Sequence, residues 1–210
     1  MGRRETKKEA TKRKILDVSL QLFTREGFGK TTMRDIARRA GIALGTTYNY
    51  FPTKEHIALY FFETALEEVM ARYRREAPAD APLEEKLFLL LSIELEQLAP
   101  YEAFLHLVIA TAVVPGSRLH PFSVDSQRLK SKYLEFAGRI FEEAQARGEL
   151  KTFGFDAMLL SAFWIFKMGL ILFWLGDASP KKEDTFVLLD KSLRFVLEGL
   201  RGGKPKGRRR

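Results

Sequence analysis

Apolar residues recur along this chain at three- and four-residue intervals almost without a break, and alternating runs of the strand type are weak throughout. The first helix this spacing predicts runs from about Thr6 to Arg25. It carries Ile15, Leu16, Ser19, Leu20, Leu22 and Phe23 on one stripe, and Gly27 is its stop. Thr32 and Asp35 have the spacing of a capping box that opens a second helix. A third, about Leu44 to Tyr50, is cut short by Pro52, and Thr53 caps a fourth that reaches Glu76. The segment APADAPLEE leads into a fifth helix ending at Ala99, and Pro100 separates a sixth, Tyr101 to Val113. VPGSRLHP interrupts the pattern before a seventh helix from Phe122 to about Arg147, stopped by Gly148. An eighth spans Asp156 to Leu175, and after the turn GDASP a ninth covers Lys181 to Leu200. The predicted fold is all-α: a head of three small helices over residues 1–54, then a body of six longer helices over 55–201. The tail, 202–210, has no apolar residue and is expected to be disordered.

The stretch TTMRDIARRAGIALGTTYNYFPTK, residues 31–54, reads as a helix-turn-helix. Two helices joined by a three- or four-residue turn cross steeply, so small Ala37 suits the crossing point. Gly41 supplies the positive φ of the turn without a Cβ penalty. Ile36, Ala40, Ile42 and Phe51 are expected to close a small core against the first helix.

Charge sharpens this picture. Residues 1–54 hold 13 Lys/Arg against 5 Asp/Glu, residues 55–201 hold 17 against 22, and the last nine residues add five cations and no acid. A basic head on an acidic body places polyanion binding at one end. There is no cysteine, so disulfides, thiolate nucleophiles and Cys-based zinc sites are excluded. The N-terminus shows no secretory signal, and a cytoplasmic location is expected. Asn occurs once, at residue 49, and Gln four times, a composition that fits a heat-adapted source.

The run KILDVSLQLFTREGFGKTTMRDIARRAGIALGTTYNYFPTKEHI, residues 14–57, resembles the DNA-binding domain of the TetR family of transcriptional regulators. The ending DASPKKEDTFVLLDKSLRFVLEGL resembles, more loosely, that family's C-terminal dimerisation helix. The resemblance implies a homodimer on a palindromic operator, a helix-turn-helix in each major groove, and a body that binds a small effector. Most members are repressors released from DNA by that effector. By motif position, Ala43, Leu44, Gly45, Thr46, Tyr48, Asn49 and Tyr50 lie at or near DNA. Gly45 admits close backbone approach, Ala43 and Leu44 meet thymine methyl groups, and Asn49 either pairs with adenine or bonds its own backbone. Tyr48 and Tyr50 suit phosphates, and Thr32 and Lys54 are read as phosphate clamps at helix starts. Many members carry Lys in place of Leu44 and Tyr in place of Asn49. The arm GRRETKKEATKRK either reaches an adjacent groove or stays solvated.

The body is rich in aromatics, which at helical spacing are usually core. Taken together they also suit an apolar effector site, for which Phe62, Phe104, His106, Tyr133, Phe136, Trp164, Lys167 and Met168 are the candidates. A buried Lys167 needs a partner, and an anionic ligand end is one option. The expected effector is elongated and mostly apolar, such as a fatty acid or its thioester. Ile171, Trp174, Val187, Leu188, Phe195, Val196 and Leu200 are expected at a twofold dimer interface.

Several features point elsewhere and fail. GFGKTT, residues 27–32, resembles the end of a phosphate-binding loop, but Thr24 stands where glycine is needed and a helix precedes it. The run Ala157 to Gly176 is long enough to span a bilayer, yet Lys167 sits at its centre and ordinary helices flank it, so a buried helix is expected and no membrane partner. His56, His106 and His120 lack ligand spacing, and Glu84/Glu85, Glu94/Glu96 and Glu142/Glu143 read as solvated faces. No nucleophile has a local base, so neither an enzyme nor a cofactor is expected. The alternatives are a constitutive dimeric DNA binder and, remotely, an all-α enzyme with a vestigial head.

Overall fold

The structure is a computed structural model that describes residues 3–112, 114, 116–121, 123–150 and 156–200. Among these all the regular secondary structure is helical, with α1 (Arg3–Glu26), α2 (Met33–Ala40), α3 (Leu44–Tyr50), α4 (Lys54–Glu76), α5 (Leu83–Leu98), α6 (Glu102–Ala112), α7 (Val124–Ala146), α8 (Asp156–Gly176) and α9 (Glu183–Leu200). The fold is the expected all-α one with a helix-turn-helix head. Three expectations fall outside the description: the character of the tail 202–210, the end of the sixth helix at Val113, and the start of the seventh at Phe122.

α1 begins at Arg3 rather than Thr6, so the basic arm is itself helical. No Gly or Pro interrupts the chain between Arg3 and Glu26, and Lys12 pairs with Glu9 one turn earlier at 3.1 Å. α9 begins at Glu183, two residues later than expected, after a 3₁₀ turn over Pro180–Lys182. Asp177 sets that start. Its carboxylate accepts from the Ser179 and Thr185 amides at 2.8 and 2.9 Å and from the Thr185 hydroxyl at 2.6 Å.

The packing forms two units. The first comprises residues 1–65 and 101–130, the second 66–100 and 131–210. The division therefore falls inside α4, not at Lys54, because α6 packs with the head helices. Phe104 of α6 stacks on Phe23 of α1 at 5.8 Å and meets Phe61 of α4 edge-on at 5.3 Å. Ile15, Phe23, Ile36 and Ile57 complete that core with no exposed surface. In the second unit α5 is buried on most sides through Leu83, Leu87, Leu90, Leu91, Ile93 and Leu95. α9 presents Thr185, Leu189, Leu193 and Leu197, spaced one turn apart, as its buried face.

Candidate functional site

The head is built to hold a short helix still. Thr32 opens α2 with a complete capping box: its hydroxyl accepts from the Asp35 amide, and its own amide donates to the Asp35 carboxylate, both at 3.2 Å. The Thr32 hydroxyl donates to the same carboxylate at 2.5 Å and, as the largest influence, holds its pKa below the ordinary value. Both donors of Thr32 are thus taken by Asp35. At the other end of α2, Gly41 has φ 63° and ψ 39°. The Gly41 and Ile42 amides donate back to the Arg38 and Ala37 carbonyls, a Schellman stop. Ala37 is buried at the crossing, and fully buried Thr47 donates its hydroxyl to the Ala43 carbonyl at 3.2 Å. Ile36, Ala40 and Phe51 are buried as expected, whereas Ile42 is only half-buried.

With Thr47 as its one buried residue, α3 turns the rest of its surface outward. Gly45, Thr46, Tyr48 and Asn49 are exposed, as is Ala43 just before the helix, and Leu44 and Tyr50 are half-buried. Exposed Arg34 and Arg39 of α2 add cations that motif reading passed over, while exposed Arg38 is paired with Asp35 at 2.7 Å. The signal was present in the sequence: buried Met33, Ile36, Ala37 and Ala40 leave the arginines on the opposite face.

Lys54 does something other than expected. Its ammonium donates to the carbonyls of Phe28, Gly29 and Thr31 at 2.6, 3.2 and 3.2 Å and lies 4.8 Å from the centre of the Phe28 ring. An ammonium has three N–H groups, and all three are used. Lys54 therefore fastens the loop in front of α2. That loop is GFGKTT, and it turns carbonyls toward a cation, the reverse of a phosphate cradle.

In the second unit, Lys167 of α8 pairs with Glu94 of α5 at 2.8 Å, and both side chains are nearly inaccessible. Its ammonium lies 3.9 Å from the ring centre of Tyr133 of α7 and 4.4 Å from that of Trp164. The counter-charge of Lys167 is thus internal, which displaces its assignment to an anionic ligand end. Glu94 is buried, contrary to its reading as a solvated residue, while Glu96 is exposed and pairs with Arg72 at 2.7 Å. Trp164 Nε1 is buried with no hydrogen-bond partner among the described residues. Burial, reinforced by the Glu94 charge and by a side-chain hydrogen bond to Glu94, pushes the Tyr133 phenol well above its ordinary pKa.

The other residues expected at an effector site fall in both units. Phe62, Phe104 and His106 belong to the first unit, where Phe104 is core and His106 is exposed, 3.8 Å from Glu102. In the second unit Phe136 is half-buried and meets Tyr73 edge-on at 5.4 Å, and Met168 is half-buried.

The family model for bacterial regulatory proteins of the tetR family matches residues 15–61, and that for the tetracyclin repressor-like C-terminal domain matches residues 86–204. The chain belongs to the TetR family. It is a DNA-binding transcriptional regulator, and the helix-turn-helix is its DNA-binding element. The fatty acid metabolism regulator protein of Bacillus subtilis is 30% identical over 146 residues, covering 69% of this chain and 73% of that protein. A putative TetR-family regulator from Syntrophomonas wolfei has the same fold, with a TM-score of 0.73 at 22% identity over 93% of this chain and 99% of that one. So does Thermus thermophilus FadR, a repressor solved in complex with lauroyl-CoA, with a TM-score of 0.68 at 24% identity over 93% of this chain and all of that one.

Val187, Leu188, Phe195 and Val196 are exposed, Phe195 by 80%, and Leu200 is half-buried. Ile171 and Trp174 are buried within the chain's own core, so they do not project outward as expected. The helical period puts Met158, Ile165 and Leu172 on the outer face instead, with Phe173 beside them.

Proposed function

We propose that the protein is a homodimeric repressor that binds a palindromic operator and leaves it when a long-chain acyl thioester occupies its helical body. The observation carrying the DNA half is the exposed face of α3 on a scaffold fixed by the Thr32/Asp35 capping box, the Gly41 turn, buried Thr47 and the Lys54 bonds to the loop ahead of α2. The effector half is supported by the Bacillus subtilis relative, a fatty acid metabolism regulator, and by the lauroyl-CoA held by the Thermus thermophilus neighbour. The dimer is supported by the exposed apolar residues of α8 and α9, a surface too apolar to leave in water.

The coupling runs through α4. This continuous helix of 23 residues contributes to both units, and its first residue, Lys54, fastens the loop ahead of α2. A tilt of α4 on ligand binding moves the recognition helices out of register with successive turns of the groove, spaced ~34–36 Å. Ligand and DNA then oppose each other by about 1–3 kcal/mol. The test is selection of bound duplexes from a random pool, followed by anisotropy titration of the selected DNA with and without lauroyl-CoA. A palindromic consensus whose affinity falls roughly 5–150-fold with ligand is expected. A non-palindromic pool, or an affinity indifferent to every acyl thioester, overturns the reading.

A further inference from the structure

We propose that the N-terminal part of α1 is a phosphate-binding rod: Lys7 and Lys14, on one face of a rigid helix, grip the backbone of the duplex and supply the charge that the recognition helix lacks. This rests on the DNA-binding function that family membership carries, and on neither the palindrome nor the effector.

Duplex DNA is held largely through its phosphates, and each one neutralised needs a cation. The recognition helix has none to offer: α3 is LGTTYNY, without a charged residue. Around it, the Lys54 ammonium is engaged by three loop carbonyls and Arg38 by Asp35, which leaves exposed Arg34 and Arg39 on α2. α1 holds the larger supply. Lys7, Lys8, Arg13 and Lys14 are exposed and form no ion pair among the described residues. Lys7 and Lys14, a heptad apart, lie within about 20° of each other around the helix and ~10 Å apart along it.

Helical structure limits what the arm can reach. α1 is continuous from Arg3, and an α-helix with its side chains is about 10–12 Å across, against about 6 Å for the minor groove. A rod of that width stays outside the groove and meets phosphates alone. The rod is also held in place. The Tyr60 hydroxyl of α4 donates to Glu9 at 3.1 Å, and the Lys12 ammonium lies 5.1 Å from the Tyr60 ring centre. Tyr60 in turn packs on Phe51, the residue that follows α3, at 5.3 Å. The Lys14 ammonium lies 4.0 Å from the point where a Cβ on Gly41 would stand. Lys14 at the turn before α3, and Tyr60 at the residue after it, thus make the cationic face of α1 continuous with the helix-turn-helix.

The test is fluorescence anisotropy of the full-length protein on two duplexes, one recovered by selection from a random pool and one of arbitrary sequence, from about 50 to 200 mM salt. Lys7→Gln combined with Lys14→Gln is expected to make the slope of log affinity against log salt shallower by about 0.9 for each lysine lost from a phosphate, so by roughly two per bound arm. The change should be the same on both duplexes, because phosphates are common to every sequence. The selected consensus and the thermal unfolding temperature should stay as they are. Arg75→Gln with Arg139→Gln removes the same charge from the second unit and should leave the slope in place. An unaltered slope in the Lys7/Lys14 variant overturns the rod. So does an equal change in the Arg75/Arg139 variant, which would make the effect one of overall charge. Loss of a preference for flanking A·T pairs in the Lys7/Lys14 variant overturns it too, by placing the arm in the minor groove. If selection recovers no palindrome, the operator reading fails and the arbitrary duplex still decides the rod.

Discussion

Gly41 and Gly45 sit four residues apart and answer different constraints. At Gly41 the backbone has φ 63°, where a side chain costs about 1–2 kcal/mol, so the turn itself demands glycine. Gly45 lies in ordinary helix, and a Cβ placed on it meets nothing within 4 Å. The fold has no use for glycine there, and we propose that close approach of DNA has one. Gly45→Ala is therefore expected to stabilise the protein, by up to about 1 kcal/mol in thermal unfolding, while lowering operator affinity at least several-fold. Unchanged affinity would remove Gly45 from the interface. Lys54 permits a similar separation. Lys54→Ala should cost about 1–3 kcal/mol of stability, because three loop carbonyls lose a charged donor. It should leave the slope of log affinity against log salt unaltered. A slope shallower by about one would restore the phosphate-clamp role. Asn49, exposed near the end of α3, is expected to specify a single base pair, so Asn49→Ala should relax preference at that position alone in a selected pool.

At the scale of the element, the junction between α8 and α9 depends on one carboxylate. The Ser179 and Thr185 hydroxyls and the amides of both residues hold the Asp177 pKa well below the usual carboxylate value. A folded pKa below the unfolded one means that the junction's contribution is complete above about pH 4 and is lost as acid carries the pH down toward the folded value. Chemical denaturation of Asp177→Asn is expected to show lower stability than the parent at pH 7 and a smaller gap at pH 3. A gap that widens in acid would mean that the carboxylate is not what organises the turn. Helix boundaries were legible wherever a breaker or cap acts locally. Gly27, the Thr32/Asp35 box, Gly41 and Gly148 stand where the spacing predicted stops and starts. The start of α9 was misjudged because its signal, Asp177, acts on residues up to eight positions away through side-chain geometry.

For the whole molecule, the open question is what covers the outer faces of α8 and α9. The segment Ala157–Gly176 is long and apolar enough to cross a membrane, and less than half of it is buried within the chain. Its outer residues Ile165 and Leu172, together with Phe195 of α9, are expected to be the centre of the dimer interface. Leu172→Glu combined with Phe195→Glu should shift sedimentation at micromolar concentration from dimer to monomer and weaken operator binding at least tenfold, because two half-sites are no longer held by one particle. A variant that remains dimeric would move the interface elsewhere.

Local physics, working through the sequence alone, determined the all-α class, the order of the helices, the turn at Gly41, the family and the outward residues of α3. Each depends on hydrophobic period, cap chemistry or a steric demand that acts within one or two turns. Three things were decided only by tertiary packing. Lys54 turned inward because carbonyls more than twenty residues away converge on it. Lys167 found its counter-charge in Glu94, on a different helix and indistinguishable in the sequence from its solvated neighbour Glu96. Ile171 and Trp174 faced the core, and Leu172 and Phe173 the outside, because a helix apolar on every side has no preferred face until its neighbours choose one.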